Sequence, residues 1–122
     1  MRDDIKRRWV DALRSGEYAQ GQERLRVNDE FCCLGVLCDL AAKDGVVRVE
    51  DEIVDGEERR IYYYGDGKEL LSDLFLPASV RIWAGLDDDN PRVLSDDASS
   101  LASLNDSGYS FLDIAEIIQE QL

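Results

Sequence analysis

Two arginines, two tyrosines and a polar tripeptide are the residues of this sequence whose types and spacing fit a chemical task. Arg24 and Arg26 alternate with Leu25 and Val27, a short-strand pattern that sends both guanidinium groups outward and both aliphatic side chains inward. Tyr62 and Tyr64 fall on one face of a later strand, and Asn105-Asp106-Ser107 lies in a loop ahead of a helix start. Arginine for phosphate, an aromatic ring for stacking and polar groups at a helix N-terminus would together hold a nucleotide-like small molecule without transforming it. The same residues have a plainer use: tyrosines filling the edge of a core, arginines paired with surface acids, and a turn that ends in a cap.

Other chemistry is narrowed by what the sequence lacks. There is no histidine, which removes Ser-His-Asp and Cys-His catalysis and the usual general base near neutral pH. Cys32, Cys33 and Cys38 have no fourth ligand beside them and sit among apolar neighbours, so they read as small buried hydrophobes rather than as a zinc site or reactive thiols. No Walker A loop or G-x-G-x-x-G is present. Asp87-Asp88-Asp89-Asn90 lacks the glycine and the closing glutamate of a calcium loop and reads as a solvated turn. No cofactor and no catalytic residue are expected, and the chain is read as a binding protein rather than an enzyme.

Charge bears on the partner. Fourteen basic against 27 acidic residues give a net charge of −13, which disfavours direct nucleic-acid binding. The imbalance is concentrated late: after Ile82 there is one cation, Arg92, and no lysine or arginine follows it. A last helix carrying Asp113, Glu116 and Glu120 would meet DNA with the wrong sign, even though Gly108 to Ala115 resembles the supporting helix of a helix-turn-helix. This acidity either only solubilises the chain or offers carboxylates to a basic host protein, as an inhibitor or DNA mimic. Leu112 and Ile117 flank the apolar stripe of that helix and leave room for a homo-oligomer contact through it.

The elements that position these groups are read from apolar periodicity. Asp3 to Ser15 is a helix with Ile5, Trp9 and Leu13 on one side and Asp3–Arg7 and Asp4–Arg8 as supporting pairs. Phe31 to Ala42, apolar except for Asp39, is a buried central helix, and Gly35 in its middle marks a close approach by another element. Val46 to Val54 and Arg60 to Tyr64 form a hairpin around Asp55-Gly56-Glu57-Glu58, and Leu70 to Leu76 is a helical turn or short strand. Pro77 opens a short helix to Trp83, and a helix or turn is expected from Asp97 to Leu104. Ser110 caps the last helix with Asp113 three residues on. The result is a single α+β domain over residues 1–122: a small antiparallel sheet packed with about four helices, including the Cys-rich central one. No apolar run approaches the roughly 20 residues of a membrane span, and Met1-Arg2-Asp3-Asp4 lacks a secretory leader's apolar stretch, so the expected compartment is the cytoplasm.

Several segments together, Trp9-Val-Asp-Ala-Leu-Arg-Ser-Gly-Glu-Tyr18, Phe31-Cys-Cys-Leu-Gly-Val-Leu-Cys-Asp-Leu-Ala41, Leu76-Pro77, Trp83-Ala-Gly-Leu86 and Leu104-Asn-Asp-Ser-Gly-Tyr-Ser-Phe111, resemble a family of short uncharacterised proteins of tailed phages and prophages. The likeness runs from about residue 9 onward and is most specific in the cysteine-rich segment. It implies a phage origin, hence the host cell cytoplasm, and the class of accessory products that counter host defences or redirect host proteins. It implies no catalytic residues.

Overall fold

The computed structural model describes residues 1–63, 74–93 and 99–122. In chain order it contains α1 (Asp3–Arg14), β1 (Ala19–Gln20), β2 (Arg26–Val27), β3 (Glu30–Phe31), α2 (Cys33–Lys43), β4 (Arg48–Val54), β5 (Glu57–Tyr63), α3 (Ala78–Ala84), α4 (Leu101–Asp106) and α5 (Phe111–Gln121). The strands form one sheet in the order β1-β3-β2-β5-β4. The fold is α+β, as the sequence predicts, with one parallel pair, β1–β3, in an otherwise antiparallel sheet. The described residues hold five helices, in keeping with the four or so expected.

The helix α2 is buried because its sequence leaves no polar side: Cys33, Leu34, Val36, Leu37, Cys38 and Ala41 are all fully enclosed. It packs against α1, α3 and α4. Phe31 lies outside this helix, in β3, because Cys32 is extended and ends the approach to it. Gly35 fulfils its expectation, since a Cβ there would lie 1.8 Å from the carbonyl oxygen of Leu25. Against α2 lies α1, whose Trp9 is wholly buried and donates its indole N–H to the Cys33 carbonyl at 3.0 Å. The expected Asp4–Arg8 pair does not form. Arg8 reaches Asp44 past the end of α2, at 2.8 Å, and Asp4 is taken by Arg2.

The hairpin turns more tightly than the acidic tetrapeptide implies. Val54 pairs directly with Glu57, leaving Asp55 and Gly56 alone in the loop, both at positive φ (51° and 81°). That is the two-residue turn for which Asp-Gly is suited. At the other end of the chain, Ser110 accepts from the Asp113 amide while the Asp113 carboxylate accepts from the Ser110 amide, closing a capping box. Phe111, Ile114, Ala115 and Ile118 then face the core. The short helix α4 begins at Leu101, four residues after the expected start, because Ser100 is its cap. Most of the segment Leu70 to Leu76, and Tyr64, lie outside the described residues.

Candidate functional site

The expected ligand residues separate into three environments. Arg26 lies in a row of side chains that crosses the sheet. Cross-strand pairing sets Phe31 opposite Arg26 and Asp51 opposite Arg60, and the pairing of Val27 with Arg59 makes Arg26 and Arg60 neighbours. Arg60 donates to Asp51 at 3.0 Å and to Asp39 of α2 at 2.9 Å. Arg26 donates to Asp51 at 3.2 Å, comes within 3.5 Å of Asp29 and Glu58, and stacks 5.5 Å from the Phe31 ring centroid. Its side chain is 12% exposed. The expected outward guanidinium is thus drawn across the sheet by three carboxylates, and a phosphate there would have to displace them.

Asp39, the one polar residue in the apolar run of α2, anchors this row. It receives the Tyr18 hydroxyl, Lys43 at 3.3 Å and Arg60. Burial opposes its ionisation, but these three donors outweigh it and hold the carboxyl below its usual range. Asp51 behaves alike: burial raises it, and Arg60 and Arg26 more than compensate. Tyr18 meets Phe31 edge-on at 5.1 Å, and the Lys43 ammonium lies 5.6 Å from the Tyr18 ring centroid. Sequence reasoning named Asp39 only as an interruption; that lone carboxylate on a buried helix was the available signal for a partner network.

Tyr62 is not at the core edge but within the core. Its register opposite Val49 puts it on the sheet face under α2, where it is fully buried. Burial pushes its hydroxyl well above the usual phenol range, and that hydroxyl has no hydrogen-bond partner among the described residues. It offers no stacking face to a ligand.

Asn105, Asp106 and Ser107 close α4 instead of forming a free loop. Asn105 is almost fully buried, and its carbonyl oxygen accepts from the Cys33 amide at 3.2 Å and from Gln20 at 3.0 Å. Its amide nitrogen donates to the Gly21 carbonyl at 2.8 Å. Cys32 has no capping side chain for α2, so Asn105 supplies that cap from a distant part of the chain. Gln20 completes the junction by accepting from the Phe111 amide at 3.0 Å and donating to the Tyr109 carbonyl. Asp106 accepts from the Glu23 amide at 2.8 Å, and the Ser107 hydroxyl donates back to Ser103. Gln20 escaped the sequence reading because its partners lie some 85 to 91 positions away.

Beside this junction is an open cleft of about 500 Å³, lined by Gln20, Gly21, Gln22, Glu30, Asn105 and Tyr109 among others. It contains no cation and one carboxylate. Arg24 lines an adjoining hollow of about 170 Å³, with Glu23, Glu30 and Glu57 around it. The structure therefore joins Arg24 and Asn105 through neighbouring hollows but leaves Arg26 and Tyr62 outside them.

The three thiols are free and buried. Burial raises Cys32 to about 11 and Cys33 and Cys38 well above their usual value. Among the described residues no group of three or more His, Cys, Asp or Glu is arranged to hold a metal, and no helix is long and apolar enough to cross a membrane. Burial and the neighbouring Asp88 raise Asp89. On the outward side of α5, Asp113, Glu116 and Glu120 are exposed and make no ion pair among the described residues; Arg14 of α1 donates to the neighbouring Gln119 at 2.8 Å, and Leu112 is 62% exposed.

No curated protein and no solved structure matches the chain. A family model described as Domain of unknown function (DUF8296) matches residues 1–122, and the chain belongs to that family.

Proposed function

We propose that this protein acts by binding, without catalysis of its own, and that its partner is a protein with a cationic surface. The observation that carries this is the outward face of α5. Several of the protein's cations are engaged within the molecule, Arg8 by Asp44, Arg26 and Arg60 by Asp51, and Lys43 by Asp39. The carboxylates of Glu116 and Glu120, and that of Asp113, which also caps the helix, are instead exposed on the same outward side of α5 as Leu112 and make no ion pair among the described residues. Like charges on two copies of this face oppose self-association through it, which favours a basic partner. In the setting implied by the resemblance to tailed-phage proteins, that partner is a host protein and the role is host takeover or counter-defence.

The test is capture from cell lysate with immobilised protein. Basic proteins retained at about 0.1 M salt should elute by about 0.5 M, where screening shortens to a few ångströms. The variant Asp113→Asn/Glu116→Gln/Glu120→Gln should lose them. Retention of every captured partner by that variant contradicts the reading.

A second reading is favoured by the cleft beside Asn105: a small polar ligand, nucleotide-like in the form expected from sequence, bound between Gln20, Gln22 and Tyr109. It predicts a rise in melting temperature with cyclic or ADP-ribose-type nucleotides. A flat response across such compounds removes it.

A further inference from the structure

We infer that the outer edge of β4 is a docking edge for an extended segment of a partner protein in which basic and apolar residues alternate; this rests on the cationic-partner reading and names how such a partner is held. β4 ends the sheet, and among the described residues no strand pairs with its far side. The direction of its backbone groups follows from the hairpin. Residues flanking a two-residue turn exchange hydrogen bonds, so Val54 faces Glu57, and by alternation Glu52 and Glu50 also face β5. The Asn28 amide, donating to the Glu58 carbonyl at 2.6 Å, fixes the same parity from the other side of β5. Val49, Asp51 and Ile53 therefore present their N–H and C=O groups to the open edge.

Side chains follow the same alternation. Val49, Asp51 and Ile53 lie on the face toward α2, where Asp51 is already neutralised by Arg60 and Arg26, and Ile53 is 71% exposed. Glu50 and Glu52 lie on the opposite face. Glu50 has only Arg48 at 3.9 Å, and Glu52 has no ion pair among the described residues. A strand added at this edge places its residues directly opposite those of β4 on the same faces. It meets apolar Val49 and Ile53 on one side and two carboxylates on the other. A second copy of β4 paired about Asp51 would set Glu50 against Glu52 on each side, so self-pairing is opposed by like charge. A strand alternating valine-like and lysine-like residues satisfies both faces.

The probe is a peptide of four Lys-Val repeats, compared with the same peptide N-methylated at every second amide so that one strand edge cannot donate. Fluorescence anisotropy reads affinity, and amide hydrogen exchange reads location. The expected results are slowed exchange at Val49, Asp51 and Ile53 with Glu50 and Glu52 unchanged, and at least tenfold weaker binding for the N-methylated peptide and for Glu50→Lys/Glu52→Lys. Equal binding of the two peptides, no binding, or protection confined to other residues overturns the edge. The α5 variant separates the two readings. If it loses captured partners while the peptide leaves β4 unprotected, the cationic-partner reading stands and the edge fails. If the peptide protects β4 while the α5 variant keeps its partners, the edge stands and α5 is not the basis of recognition.

Discussion

Replacing Gly35 with alanine places a methyl carbon 1.8 Å from the Leu25 carbonyl oxygen and 2.7 Å from its carbonyl carbon. Ordinary contact begins near 3.4 Å, so α2 and the Leu25 segment must part by about 1.6 Å. Neither side yields easily: Leu25 is fully buried, and its carbonyl also accepts the Cys32 amide at 3.3 Å. Overpacking in a filled core costs about 3 kcal/mol at the upper end of its usual range, while alanine regains about 1 kcal/mol of helix propensity over glycine. The net loss is about 2 kcal/mol. For a chain of 122 residues, with an unfolding entropy of about 2.1 cal/mol/K per residue, that lowers Tm by roughly 8 °C. Circular dichroism melts of wild type and Gly35→Ala measure it. Gly16→Ala is the control, because a Cβ at Gly16 meets nothing within 4 Å and only its positive φ of 77° is strained. That change should cost about 1 kcal/mol. A Gly35→Ala melting point within 2 °C of wild type, or above it, would refute the reasoning.

Three further outcomes follow from the interior. Asn105→Leu leaves the Cys33 amide and the Gly21 carbonyl without their partner and should cost about 2–4 kcal/mol by urea unfolding; a loss under about 1 kcal/mol contradicts the junction. Asp39 and Asp51 have carboxyls depressed in the folded state, so the unfolded chain binds protons first; their stabilisation is full above about pH 5 and is lost as pH falls through the folded values. Asp39→Asn should flatten the fall in Tm between about pH 5 and 2, and an unchanged slope counts against the network; Asp89, raised rather than lowered, contributes in the opposite sense. The three thiols, buried and raised, should resist an aromatic disulfide reagent at pH 8 in native protein and all react in denaturant. Fast labelling of any one of them in native protein contradicts its burial.

What was legible in the sequence was local. Ile5, Trp9 and Leu13 mark α1, and the Ser110–Asp113 box marks the start of α5, because each signal is contained within one or two turns. Gly35 foretold a close approach but not its partner, since nothing local identifies the Leu25 carbonyl. The surroundings of the candidate residues were hidden for the same reason. Arg26 looks free until the register brings Asp51 and Glu58 to it, and Tyr62 looks like a surface aromatic until α2 covers that face of the sheet. Asn105 reads as a turn residue because the helix it caps begins 72 positions earlier. The hairpin is the exception in which a local signal was present and passed over: Asp55-Gly56 alone specifies the turn, and the following two glutamates already belong to β5.

The central claim is that recognition runs through negative charge displayed on α5. Its most direct measurement is the affinity of a partner captured at low salt, titrated against wild type and Asp113→Asn/Glu116→Gln/Glu120→Gln at two ionic strengths. The expected result is at least tenfold weaker binding by the variant at about 0.05 M salt, and a smaller gap at about 0.5 M as screening removes the wild type's advantage. Equal affinities at low salt, from a variant that melts at the wild-type temperature, would contradict it.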